Sequence, residues 1–132
     1  MSEAVEDVKV FRERAHEWIR ANLRPASGPG QTLRGKDEAE DLAEVARERE
    51  VQRMLFDAGF AGLTWPQEYG GRGAPYSHQA IALEEFAKAG APGHMNVIAL
   101  GMAGPTIMVH GTEEQKRRYL PKMLSAEEIW CQ

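Results

Sequence analysis

The sequence predicts an all-α fold, a bundle of five to six helices packed in orthogonal or up-down fashion. Apolar residues recur at spacings of three and four along most of its 132 residues, which is the helical period. No segment before Ile129 alternates apolar and polar residues for long enough to predict a β-strand. Glycine and proline separate the periodic segments, as expected at helix boundaries.

The first predicted helix runs from about Ala4 to Leu23. Its apolar residues share one face, and charged residues fill the other. His16 lies on the charged face, so we expect it to be solvated. Pro25 ends the helix, because the residue before a proline is disfavoured in the α region. A surface loop rich in glycine, proline and serine is expected at 26–35.

The second predicted helix begins at Asp37, which can accept hydrogen bonds from the first-turn amides as an N-cap. It continues to about Ala58. Gly59 then fits the left-handed position that closes many helices.

The segment from Gly62 to Gly73 is the most distinctive part of the sequence. It holds two aromatic residues (Trp65 and Tyr69), Pro66 and four glycines within 12 residues. The aromatic rings indicate a corner packed onto the core. A phosphate cradle is the alternative, since glycine-rich loops before helices bind anions, but the buried rings favour packing.

The third predicted helix opens at Ser77 and ends near Gly90. Pro92 fits the first turn of a fourth, strongly apolar segment that extends to His110. Gly101, Gly104 and Pro105 interrupt this segment and predict two short helices with a bend. Because it is apolar on nearly all sides, the sequence predicts that it is buried.

A capping box at Thr112 to Gln115 predicts a last helix, from Lys116 to Leu120 and stopped by Pro121. Ile129 and Trp130 are bulky and β-prone and resemble the entry into a strand. We therefore expect a helical domain over residues 1–126, with 127–132 as the start of a β-domain that is missing here.

Composition excludes several classes of function. The net charge is −4 and the sequence pI is about 5.6, so no basic surface indicates nucleic-acid binding. No apolar run is long enough to span a membrane, and no signal peptide is apparent. The single cysteine, Cys131, allows no internal disulfide. We expect a soluble cytoplasmic protein without a metal site, because no ligand spacing is present.

The fourth segment holds the candidate ligand-contacting residues. His94 stands at its start and Met95, Met102 and Met108 follow, with Ile98 between them. Methionine fills irregular cores, and it also lines pockets for flexible apolar ligands. From spacing alone, packing is the better interpretation and a pocket is the alternative.

Several segments, taken in order, resemble the N-terminal helical domain of the acyl-CoA dehydrogenases, especially the bacterial type. The resemblance covers essentially the whole chain and lies in the ordered set: residues 59–66, 68–73, 83–87, 111–121 and 127–132. Ser125 stands where this family often has glycine.

The resemblance implies a flavoprotein oxidoreductase of fatty-acid metabolism. Such enzymes bind FAD and oxidise the Cα–Cβ bond of an acyl-CoA, and an electron-transferring flavoprotein reoxidises the flavin. The catalytic glutamate of the family lies in a C-terminal part that is absent here, so no catalytic residue is expected in this chain. The resemblance makes His94, Met95, Ile98 and Met102 substrate-binding candidates in the wall of the acyl pocket. It also aligns Gln132 with the first flavin-contacting position.

On this basis we expect an N-terminal piece of such an enzyme, inactive alone, binding no FAD alone and self-associating through exposed apolar surface. The alternative is a stand-alone helical module that binds acyl-CoA or a partner subunit without catalysis. An acyl-CoA oxidase or a nitroalkane oxidase-like enzyme on the same scaffold is a third interpretation. The sequence leaves the acyl group and its chain length open.

Overall fold

A computed structural model describes residues 5–25, 37–91 and 96–132 of the chain. Within these ranges the regular structure is entirely helical, which confirms the all-α prediction. Five α-helices are present in this order: α1 Val8–Asn22, α2 Glu38–Asp57, α3 Tyr76–Lys88, α4 Gly104–His110 and α5 Glu113–Leu124. A 3-10 turn lies at Gln67–Tyr69, and a π-helical segment, Ala99–Ala103, leads directly into α4. The predicted loop at 26–35 lies outside the described residues.

Helix α1 packs on α3 through a short apolar stripe. Phe11, Ala15 and Ile19 are buried at helical spacing, and Phe11 and Ala15 join a core cluster with Phe60 and Leu63. The helix begins at Val8 rather than at Ala4. Its start is set by Asp7, whose carboxylate accepts hydrogen bonds from the amides of Lys9 and Val10.

A buried carboxylate joins the polar edges of α1 and α3. Glu85 is 4% exposed and accepts hydrogen bonds from Arg12 at 2.6 Å and from Lys88 at 3.2 Å. His16 is exposed, as expected, and its Nδ1 also lies 3.2 Å from Glu85 Oε2, a contact that the sequence did not predict. Burial by itself would raise the pKa of Glu85, but hydrogen bonds from Arg12, Lys88 and His16 outweigh it and lower the pKa.

Helix α2 has the boundaries that its sequence predicts. The Asp37 carboxylate accepts a hydrogen bond from the amide of Glu40, and Gly59 follows the helix at φ +77°. Gln52 is the fully buried residue of this helix. Oε2 of Glu48, one turn earlier, is buried without a hydrogen-bond partner. Oε1 of Gln52 is also buried without a partner. Burial, with the nearby charge of Glu44, raises the pKa of Glu48.

The Trp-Pro corner is packed, as predicted, and it is not a phosphate cradle. Trp65 and Tyr69 are 7% and 5% exposed. Every backbone N–H from Gly70 to Ala74 donates to a carbonyl of the corner itself, so none is available to an anion. Gly71 is required by contact: a Cβ there would lie 2.2 Å from the carbonyl oxygen of Trp65.

The predicted bend in the fourth segment is replaced by the π-helical turn. The helix continues from Val97 through Ala99–Ala103 into α4, where Pro105 occupies the first turn. The expectation of burial on all sides is also wrong for its described part. Ala99 is fully buried, while Val97, Met102 and Val109 are 59%, 54% and 73% exposed.

The last helix differs from its prediction at Pro121. The capping box of Thr112 and Gln115 is confirmed, but α5 runs through Pro121 to Leu124. Proline removes one interior hydrogen bond, and the tertiary contacts of the helix override that cost. Leu120, Met123 and Leu124 are buried in the core around Trp65, and Pro121 lies close against Gly70.

We expect Gly71→Ala to lower the free energy of unfolding by about 1–3 kcal/mol, because the new Cβ would overlap backbone atoms of Trp65. Gly101→Ala is the matched control. A Cβ at Gly101 would meet nothing within 4 Å, so replacing this helical glycine should raise the free energy of unfolding by about 0.5–1 kcal/mol. Urea unfolding of both variants measures the two changes in stability. Equal changes would show that Gly71 does not lie in close contact with the Trp65 backbone.

We also expect Glu85→Gln and Glu48→Gln to have opposite effects at pH 7. The lowered pKa of Glu85 means that its ionised form stabilises the fold above its unfolded pKa, near 4.5, and that this stability is lost as the pH falls. The raised pKa of Glu48 means that its ionised form destabilises the fold, and that protonation removes the penalty as the pH falls towards 4.5.

Glu85→Gln should therefore lower the urea midpoint at pH 7, with the deficit shrinking below pH 4.5. Glu48→Gln should raise the stability at pH 7 by about 1 kcal/mol, because the new amide can donate to the unpartnered oxygen of Gln52. Unfolding curves of both variants and the wild type at pH 7, 5 and 4 provide the measurement. A midpoint shift of the same sign for both variants at pH 7 would contradict this assignment.

Candidate functional site

The exposed side of the helix that begins after Asn96 is the candidate site. Of the four predicted substrate-binding residues, Ile98 is half-buried near the start of this helix and Met102 is 54% exposed in its π-helical turn. His94 and Met95 lie outside the described residues. Gln132, the predicted flavin-contacting residue, is exposed at the end of an irregular segment after α5.

The π-helical turn gives this side of the helix an uncommon shape. Single π turns inside α-helices are rare and occur often at functional sites. At Gly101 the space beside the backbone is open, since a Cβ would meet no atom within 4 Å. Three residues later the helix is tightly packed, because a Cβ at Gly104 would lie 2.3 Å from the Trp65 ring. The Trp-Pro corner thus supports this helix from behind and leaves Gly101 and Met102 facing outwards.

The last turn of α5 and the segment that follows it are held by three side chains from other parts of the fold, which we call the exit clamp: Arg49, Gln52 and Asn96. Gln52 donates to the carbonyls of Met123 and Leu124, the end of α5, at 2.7 and 3.1 Å. Arg49 donates to the carbonyls of Ala126 and Glu127 at 2.7 and 2.6 Å. The bonds from Arg49 thus hold backbone that lies beyond the helix.

Of the three exit-clamp side chains, Asn96 contacts the residue that lies furthest beyond the end of α5, Trp130. It is fully buried, and its Nδ2 donates to the carbonyls of Met123 and Glu128, both at 3.0 Å. Its Oδ1 accepts from the amide of Trp130, also at 3.0 Å. Because Asn96 immediately precedes the helix of Ile98 and Met102, it ties the start of that helix to the segment that carries Gln132.

Sequence reasoning missed the whole exit clamp. The available signal for Asn96 was a polar residue inside the apolar run from Met95 to Ile98. Buried amides are retained where they complete hydrogen bonds, so a lone asparagine in such a run indicates a buried partner. Gln52 offered no comparable signal, because it stands among charged residues of α2.

A cleft of about 260 Å³ lies between α1 and α3, away from the candidate site. Its lining residues are His16, Ile19, Arg20, Glu85, Lys88 and Ala89. Its buried carboxylate is already paired with Arg12, Lys88 and His16. No group of three potential metal-ligating side chains is found among the described residues. No described helix meets the length and hydropathy needed to cross a bilayer.

The residues present fit a flavin only in part. Gln132 is exposed and its amide can both donate and accept hydrogen bonds, which suits the edge of a flavin ring. One amide does not enclose a three-ring system, and no described cavity near it does so. Holding FAD would therefore need groups beyond those that the described residues bring together.

Comparisons with known proteins agree with this architecture. The family model described as "Acyl-CoA dehydrogenase, N-terminal domain" matches residues 5–127. The chain is 37% identical to the acyl-CoA dehydrogenase IpdE1 of Mycolicibacterium smegmatis, over 96% of this chain and 32% of that protein. It is 36% identical to IpdE1 of Mycobacterium tuberculosis, over 97% of this chain and 33% of that protein.

Two solved structures share the fold. The Tcur3481-Tcur3483 steroid ACAD superposes with a TM-score of 0.66 at 32% identity, over 92% of this chain and 29% of that chain. The ChsE4-ChsE5 complex from Mycobacterium tuberculosis gives a TM-score of 0.64 at 29% identity, over 96% and 30%. The chain spans about a third of the length of these relatives. It belongs to the acyl-CoA dehydrogenase family and corresponds to the N-terminal domain of that family.

Proposed function

We propose that residues 1–126 form the N-terminal helical domain of an FAD-dependent acyl-CoA dehydrogenase, and that 127–132 lead into its β-domain. The reaction is the α,β-dehydrogenation of an acyl-CoA thioester, in which the α-carbon loses a proton and the β-carbon a hydride. FAD supplies the hydride acceptor when it is bound. We assign no catalytic acid or base to this chain.

The role proposed for this chain is to line the acyl pocket with the helix that begins after Asn96. The observation that carries the proposal is the outward apolar side of this helix at its π-helical turn, with open space beside Gly101 and an exposed Met102. An acyl chain lying there would be shielded from water on the side that faces the helix, and each methylene that is fully buried contributes about 0.8 kcal/mol. His94, Met95 and Ile98 remain candidates for the same wall.

A bulky acyl group is the substrate class that this surface favours. Gly101 leaves its side of the π-helical turn without a side chain, so a wide ligand can approach the backbone. A steroid ACAD is among the solved relatives, which supports a polycyclic acyl group. A straight short acyl chain would leave this space unfilled.

We also propose that the protein acts with a second subunit, passes its electrons to an electron-transferring flavoprotein, and resides in the cytoplasm. Two solved relatives are described as pairs of named components, which supports a two-subunit assembly. Exposed Val97, Met102 and Val109 would be covered in such an assembly, and alone they favour self-association. The alternative is a stand-alone helical module that binds acyl-CoA without oxidising it.

We expect Gly101→Leu to raise the KM for a steroid-derived acyl-CoA about tenfold or more and to change the KM for butyryl-CoA much less. The added side chain would occupy the space proposed for the bulky group. The measurement is dye-linked flavin reduction by the protein purified from its source with any subunits that remain attached. Ala80→Leu is the matched control, because it places the same side chain at an exposed position of α3.

Equal effects on both substrates would remove the pocket role from Gly101. Calorimetric binding of acyl-CoA by the wild type without any flavin reduction would favour the stand-alone module. Absence of both binding and reduction would overturn the proposed function.

A further inference from the structure

Asn96 differs from the other members of the exit clamp in what it joins. Gln52 reaches only the last turn of α5, at Met123 and Leu124, and Arg49 reaches only Ala126 and Glu127. Asn96 reaches the last turn of α5 and also the segment beyond it, at Glu128 and Trp130.

The carboxamide of Asn96 suits this position, and few other side chains would. The two carbonyls need donors and the amide of Trp130 needs an acceptor, and one carboxamide provides all of these. A carboxylate would accept from Trp130 but would face two carbonyl oxygens. An apolar side chain would leave the carbonyl of Glu128 and the amide of Trp130 without these bonds, and the carbonyl of Met123 with Gln52 as its one side-chain donor.

We propose that Asn96 is a positioning residue, which fixes where the segment Ile129–Gln132 leaves the helical domain relative to the helix of Ile98 and Met102. The inference rests on the proposed function, since it concerns how the wall of the acyl pocket is held against the segment that carries Gln132. Asn96 contacts no substrate in this scheme and acts through the backbone of Glu128 and Trp130.

Amide hydrogen exchange of Trp130 in this chain tests the positioning directly. Asn96→Leu should speed the exchange of the Trp130 amide at least tenfold relative to that of Leu120, a buried residue of α5. Gln52→Met is the matched control, because it also removes a buried donor to Met123 but touches nothing beyond Leu124. It should leave the ratio of the Trp130 and Leu120 rates unchanged, whatever stability is lost.

If Asn96→Leu does not fold, Asn96→Asp keeps the size and the acceptor and loses the donors. Its Trp130 amide should still exchange faster than in the wild type relative to Leu120. A wild-type ratio in either Asn96 variant, or the same change in Gln52→Met, would overturn the proposal.

The flavin-loaded protein, purified with its native subunits, provides the functional readout. Asn96→Leu or Asn96→Asp should raise the KM for the acyl-CoA about tenfold and alter the visible circular dichroism of the flavin, while Gln52→Met changes neither. A folded and active Asn96 variant with wild-type KM and flavin spectrum would also overturn it. If the wild type oxidises no acyl-CoA, the proposed function fails, and the exchange experiment still decides whether Asn96 positions the segment.

Discussion

The carboxyl end of α5 is the constraint on which the rest of the structure depends. An α-helix leaves its last four carbonyls without helical partners. Here the carbonyl of Pro121 accepts from Ser125 and that of Lys122 accepts from Glu128. The carbonyls of Met123 and Leu124 accept from Gln52 and Asn96, side chains of two other segments. Helix α2 and the helix that begins after Asn96 are therefore both hydrogen-bonded to the end of α5, where the chain leaves the helical domain.

The Trp-Pro corner provides a second support for the helix that begins after Asn96. The Trp65 ring lies against Gly104, and the Trp65 backbone lies against Gly71, so two glycines allow one large ring to be enclosed. Tyr69 from the same corner donates to Glu113 at 2.8 Å, which ties the corner to the first turn of α5. The corner thus identifies the family in the sequence and, in the structure, holds the helix that presents Gly101 and Met102.

Features governed by local rules could be predicted from the sequence. Asp37, Gly59 and the capping box at Thr112 act within a few residues of themselves, and all three lie where expected. The helix through Pro121 could not be predicted, because its tertiary contacts override the local preference of proline. The partners of Gln52 and Glu85 are about 70 residues away along the chain, beyond the reach of any spacing argument. Of the predicted site, Ile98 and Met102 lie on the helix predicted to carry them, and their contact with a substrate stays a prediction. The bonds from Asn96 to the segment after α5 were missed.

The choice of amides at positions 52 and 96 follows from what surrounds them. Carbonyl oxygens of α5 face both side chains, so each must present N–H groups and no negative charge. A lysine would supply donors but would bring an ion into a buried space, and at position 96 it could not accept the bond from the amide of Trp130. Arg49, which donates to the carbonyls of Ala126 and Glu127, can keep its charge because its own side chain is exposed. The change from neutral amides in the core to a guanidinium at the surface therefore follows the burial of the three donor side chains themselves.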